Sequence, residues 1–168
     1  MVGTAGSESG EQAVRDAGAI GVVNHKNSGK HYLKDALNIL KNYNGGEERY
    51  KNGFDVLLEN RADLNLSNDT SVMARRGRIL IVGSRATEIG LNPRLTMPNE
   101  LDIRGVFLAA SSPEEIKGIH ARLYTSMLQG QLKPRVGLKL RLDQADVSHV
   151  EVMNPSAGGA CGNIVVLP

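Results

Sequence analysis

Cysteine is nearly absent from this chain, with Cys161 the single one in 168 residues. That excludes an internal disulfide and a cysteine zinc cluster. Tryptophan is missing and aromatic residues make up only 4%, so few side chains could stack on single-stranded nucleic acid. No sign of charge dominates, since 20 Lys and Arg face 18 Asp and Glu for a net charge of +2. This balance makes no electrostatic case for nucleic acid or an anionic membrane. No apolar run approaches the length of a membrane span. The N-terminus is Gly- and Ser-rich with acidic residues close behind, which does not read as a secretory signal. The expectation is a cytoplasmic protein. No G-x-G-x-x-G phosphate-binding pattern occurs anywhere.

What is present is a soluble, globular composition at a natural single-domain length, with 40% hydrophobic and 23% charged residues. The stretch Arg78-Ile79-Leu80-Ile81-Val82-Gly83-Ser84-Arg85 organises the rest. Its continuous aliphatic run fits a strand buried on both faces of a parallel sheet. Gly83-Ser84 then falls where an open α/β sheet places its ligand. From spacing alone, a plain core strand followed by a turn is the stronger reading.

Around that stretch, strands and helices alternate. Strands are expected at 2–6, 20–24, Phe54–Glu59, 103–108 and Asn163–Leu167, with a short extended piece at 138–142. Helices are expected at 11–17, where Ser9 and Gln12 suggest a capping box, and at 31–43, 66–75 and 143–153. Ser112-Pro113-Glu114-Glu115 is a strong helix start, with a serine cap, proline at the first position and glutamate at the third. That helix carries Ile116, Ile119, Leu123, Met127 and Leu128 on one face and ends near Gly130. Residues 44–52 and 156–162 read as loops. Strand–helix repetition with apolar strands indicates a parallel sheet with helices on both faces.

Among side chains with chemical potential, His25 and His31 match no common zinc spacing. His120 and His149 fall in expected helices, where packing or surface roles are commoner. Cys161 has nothing near it in sequence to lower its pKa. No catalytic residue and no metal ligand is assigned.

Gly3-Thr4-Ala5-Gly6, Asn24-His25, Asn65-Leu66-Ser67, residues 78–85 and Leu132-Lys133-Pro134, in that order, resemble the C-terminal half of the zeta-crystallin family. These are zinc-independent, NADPH-dependent quinone oxidoreductases of the medium-chain dehydrogenase/reductase superfamily. The resemblance implies an incomplete Rossmann-like, doubly wound parallel α/β sheet whose first strand and glycine-rich turn are absent. Residues 1–130 would be a partial NADP-binding domain, and residues 131–168 a segment returning to a catalytic domain. Residues 44–52 would be an inserted loop. Asn163 stands where many relatives carry a lysine. The expected form is a fragment, a shortened gene model or a splice product. Its final strand would lack a sheet, and the strands at 2–6 and 20–24 would be parted from the other three.

By the same resemblance the cofactor contacts are Gly6, His25, Asn65, Val82, Gly83, Ser84, Arg85, Gly105, Val106 and Phe107. Without the resemblance His25 is a surface histidine, Arg85 an ion-pair residue and residues 105–107 a buried strand. An NAD enzyme places an acid at the end of the strand that closes at Gly6. Here that strand ends Ala5-Gly6-Ser7, which leans to NADP(H). The implied substrate is a small-molecule quinone, and the strand edge from Ile103 to Leu108 would join two subunits. The alternatives are an inactive truncated form acting as an interaction or RNA-binding protein, and a relative of NAD-dependent alcohol dehydrogenases.

Overall fold

A computed structural model describes residues 1–48, 51–154 and 161–168. They form two compact units, Met1–Ala109 and Ala110–Pro168.

The first unit holds two parallel sheets. Strand β1 (Val2–Ala5) pairs with β2 (Gly21–Asn24), joined by helix α1 (Glu8–Asp16). Helix α2 (Tyr32–Asn42) leads on to β3 (Phe54–Glu59). Next come helix α3 (Ala62–Asp69), β4 (Met73–Ile81) and β5 (Asp102–Gly105). Strand β4 lies between β3 and β5, parallel to both, with Leu57 opposite Ile79 and Ile79 opposite Ile103. The two sheets are hydrogen-bonded separately, so β1 and β2 are parted from β3, β4 and β5. Val56 and Leu58 of β3 are more than half exposed.

The core of this unit centres on Ile79, which is fully buried with Ala62, Leu66 and Met73. Phe54, Leu57, Ile81, Leu101 and Ile103 pack around them. The continuous apolar run that nominated β4 is therefore what the core is built on.

Several boundaries differ from expectation. The cap of α1 is Ser7, not Ser9: the Ser7 hydroxyl accepts from Gly10 N at 3.2 Å. The helix expected over 66–75 runs from 62 to 69, and residues 73–75 join β4 instead. Phe54 pairs with Met73 and Val56 with Arg78, so a bulge separates these pairings. Arg76 sits within that bulge at φ 60°. Its guanidinium reaches Glu100 at 2.9 Å, while Arg78 pairs with Asp102 at 2.7 Å. Sheet pairing has overridden the helix expected at residues 73–75. Strand β5 ends at Gly105, so Val106, Phe107 and Leu108 are not in it. Val106 and Phe107 are exposed, against the reading of a buried strand.

The second unit holds α4 (Pro113–Leu128), β6 (Val136–Arg141), α5 (Ala145–Met153) and β7 (Asn163–Leu167). The capping box at Ser112 is formed: Glu115 N donates to Ser112 Oγ and Ser112 N to Glu115 Oε2. The apolar face of α4 is largely uncovered, with Leu128 71% exposed. The final strand does have a partner, since β7 pairs in parallel with β6, Leu138 opposite Ile164. Of the loop expected at 156–162, residues 156–160 lie outside the described residues, as do 49 and 50 of the expected insertion at 44–52. No described helix is long and apolar enough to cross a membrane.

Candidate functional site

The expected contact residues fall at the carboxyl ends of strands β1 to β5, the rim where parallel sheets hold ligands. Gly6 follows β1 directly and is half-buried. A Cβ built there would lie 2.9 Å from His25 Nε2 and 3.2 Å from Lys26 Cε. A glycine at this position therefore lets His25 and Lys26 lie close over the end of β1. His25 follows β2 and is exposed. Its backbone N donates to Ala5 O at 3.0 Å, fixing the two strand ends together. Asn24 builds the turn beneath it: its Oδ1 accepts from Lys26 N at 3.0 Å and its Nδ2 donates to Glu11 at 2.8 Å.

The other contacts gather at the second sheet. Glu59 O accepts from Val82 N at 2.8 Å and from Gly83 N at 3.3 Å, and Ala62 N donates to Gly83 O at 3.0 Å. A Cβ on Gly83 would stand 2.6 Å from Asn60 O, so only glycine allows this approach. Ser84 and Arg85 are exposed beyond it. Arg85 N donates to Asp63 Oδ1 at 3.2 Å. The Asp63 carboxyl is bridged by Arg61 at 3.0 Å. That hydrogen bond, with the Arg85 N–H adding to it, holds Asp63 down to about 2. The Arg85 side chain itself makes no ion pair among the described residues. Gly105 closes β5, and Val106 N donates to Ile81 O at 2.8 Å. Phe107 is 75% exposed.

Asn65 lies on α3, half-buried, with its Nδ2 donating to Glu59 Oε1 at 3.2 Å. Arg61 N donates to the same oxygen. Glu59 is buried, and so is Asp69 one turn beyond Asn65 on the same helix. Neither Asp69 oxygen meets an N–H or O–H donor. What faces it is the Glu59 carboxyl, and burial together with that charge pushes Asp69 up to about 8. Burial and the facing carboxyl both favour the protonated form of Asp69, which can then donate to Glu59.

Tyr32 connects the two halves of the rim. Its ring meets His25 edge-on, centroids 6.3 Å apart. Burial, then the charges of Asp69 and Glu59, raise its hydroxyl well above the usual phenol range. Tyr32 thus meets the residue that follows β2 and feels the charge at the end of β3, while among the described residues no strand pairs the two sheets. Reading the sequence missed Lys26, Tyr32, Glu59 and Asp69. Lys26 follows His25 and had a visible signal, a cation beside the strand end. Glu59 looked only like the polar end of an apolar strand.

Among the described residues no group of three or more His, Cys, Asp or Glu could hold a metal ion. The rim does fit a nucleotide's polar groups: a close-approach glycine, an open histidine and lysine, an amide, a hydroxyl and an unpaired guanidinium.

A family profile described as "Zinc-binding dehydrogenase" matches residues 1–125. The quinone oxidoreductase of Homo sapiens is 36% identical over 167 residues, covering 99% of this chain and 46% of that protein. The quinone oxidoreductase of Lama guanicoe gives the same figures. The chain thus spans about half the length of the curated relatives it matches. The solved structure of an NAD-dependent alcohol dehydrogenase superposes with a TM-score of 0.76 at 23% identity, covering 99% of this chain and 43% of that one. A mycobacterial protein complexed with NADPH does so with a TM-score of 0.75 at 16% identity, covering 99% and 49%. At these identities the two structures speak for the fold alone.

Proposed function

Because the chain belongs to the zinc-binding dehydrogenase family, we propose that it forms the cofactor-holding portion of an oxidoreductase passing hydride from NADPH to a quinone. The observation that carries this is the convergence of Gly6, His25, Asn65, Val82–Arg85 and Gly105–Phe107 on the carboxyl rim of β1 to β5. The relatives in which that activity is named extend well beyond the matched part, so substrate and full activity belong to this proposal. In this reading residues 1–130 serve the cofactor and residues 131–168 belong with a catalytic domain.

NADPH supplies the hydride, and this chain's residues hold and orient it. Gly6 admits the adenosine ribose to the end of β1. No acid closes that strand, and His25 with Lys26 offers donors and positive charge to a 2′-phosphate. Asn65 addresses a hydroxyl or carboxamide. Val82–Arg85 and Gly105–Phe107 supply backbone and side-chain contacts along the rim, with the Arg85 guanidinium available to a phosphate. Of the edge expected from Ile103 to Leu108, the strand part ends at Gly105; the outer edge of β5 (Asp102–Gly105) pairs with no strand among the described residues and is the proposed subunit contact.

The test is cofactor fluorescence with the purified 168-residue chain. NADPH binding at least tenfold tighter than NADH supports the reading. Equal affinity sinks the NADP preference, and no binding by a folded sample sinks the cofactor role.

A further inference from the structure

Asn65 has an ambiguous side chain in principle, since its amide could present either the oxygen or the NH2 group to a ligand. Its neighbour removes the ambiguity. Glu59 Oε1 already accepts from Arg61 N and can only accept again, so it is the Asn65 Nδ2 that turns inward, at 3.2 Å. Asn65 Oδ1 must then face away from Glu59. Glu59 is itself held in place, buried at 6% exposure on the last residue of β3, with the fully buried Asp69 against it. We propose that Glu59 is a positioning residue that fixes the Asn65 amide with its oxygen outward, so that this contact takes a hydrogen-bond donor. This rests on the proposed cofactor role of the rim.

The consequence is chemical selectivity. An outward oxygen accepts from a ribose hydroxyl or from a carboxamide N–H. It repels phosphate, which at neutral pH offers mainly acceptors. Asn65 therefore contacts the donor-bearing parts of the cofactor, and phosphate recognition falls to Arg85, His25 and Lys26. Asp69 is buried with its carboxyl toward Glu59, and in its protonated form has Glu59 as the acceptor it faces. That keeps the Glu59 carboxylate aimed at Asn65 instead of being repelled from the helix. The charged or titratable groups facing Glu59 are Asp69 of α3, Tyr32 of α2 and Arg61 ahead of α3.

The experiment is a double-mutant cycle on NADPH dissociation constants, using wild type, Glu59→Ala, Asn65→Ala, the double variant and Glu59→Gln. The expected result is about a tenfold loss for either alanine variant and no further loss in the double. Glu59→Gln retains an acceptor and restores most of the affinity. Multiplying effects in the double variant, or no loss in Glu59→Ala, would overturn the inference while leaving the cofactor site standing. A wild-type chain that does not bind NADPH overturns the site reading and this inference with it. Should Glu59→Ala not fold, the Asn65 side-chain amide signals of the wild type decide. They are expected to shift as Asp69 titrates, and signals that stay fixed through that range would sink the proposal.

Discussion

Glu59 and Asp69 are two carboxyl groups buried against each other, one ending β3 and the other ending α3, with no donor on either oxygen of Asp69. Two charges cannot share this space, because desolvation and repulsion both favour keeping one proton between them. The fold therefore favours the protonated form of Asp69, through burial first and the facing Glu59 carboxyl second.

The first prediction is a pH dependence. Asp69 is raised in the folded state to about 8, above its value in the unfolded chain of about 4. The folded state thus binds more proton between those limits, and stability from this group falls as pH rises through the window. Urea midpoints between pH 5 and pH 9 should decline accordingly. Asp69→Asn keeps a donor toward Glu59 and should flatten the decline, gaining about 1–3 kcal/mol at pH 9. An unchanged slope in the variant would place the titration elsewhere.

Ile79 is the anchor of the three-stranded sheet, wholly buried between α3 and its neighbouring strands. Ile79→Ala should cost about 2–5 kcal/mol and Ile79→Val about 1 kcal/mol, since the cavity left by the first cannot close around a rigid sheet. Chemical denaturation monitored by circular dichroism checks both.

Two glycines at the rim should behave differently. At Gly83 an added Cβ meets the Asn60 carbonyl oxygen at 2.6 Å, which is backbone and cannot swing aside. Gly83→Ala should therefore lower stability by about 1–3 kcal/mol and displace Ser84 and Arg85. At Gly6 the nearest atoms belong to the ends of His25 and Lys26, which can rotate away. Gly6→Ala should leave the thermal midpoint nearly unchanged and weaken NADPH binding. Calorimetry and cofactor titration on the same samples separate the two effects.

Helix α4 begins with a complete reciprocal cap at Ser112 and Glu115. Ser112→Ala removes the acceptor for Glu115 N and should cost about 1 kcal/mol. Ser112→Asp, which restores an acceptor and suits the positive end of the helix dipole, should recover it. Thermal unfolding of both variants provides the comparison.

Much of this architecture could be read from the amino acids, and the failures have physical causes. The aliphatic run through Ile79 marked the central strand, and Ser112-Pro113-Glu114-Glu115 marked a helix start, because both signals are local. The helix misplaced at 66–75 failed because Met73 is claimed by Phe54 across the sheet, a partner no local window contains. The choice of Ser9 over Ser7 followed a pattern match with Gln12, whereas the backbone turns one pair of residues earlier. Strand β7 was expected to lack a sheet because in the resembled family the end of the chain returns to a catalytic domain, whereas here β6 pairs with it in parallel. Within the site, Gly6 and Gly83 carried visible signals. Glu59 and Asp69 did not, since their meaning lies in facing one another across two elements.

The ladders of the first unit stop at Ile81 and Gly105, and the residues offered to a ligand begin immediately past them. Ser84, Arg85 and Phe107 hang from the framework outside these ladders, whereas the Val106 N–H still reaches Ile81 O at 2.8 Å. Selection can rewrite such exposed positions at little thermodynamic expense to the core packed around Ile79. If the proposed rim binds the cofactor, ligand preference and structural robustness are largely separable traits, joined only where Val82, Gly83 and Val106 bond back to the sheet.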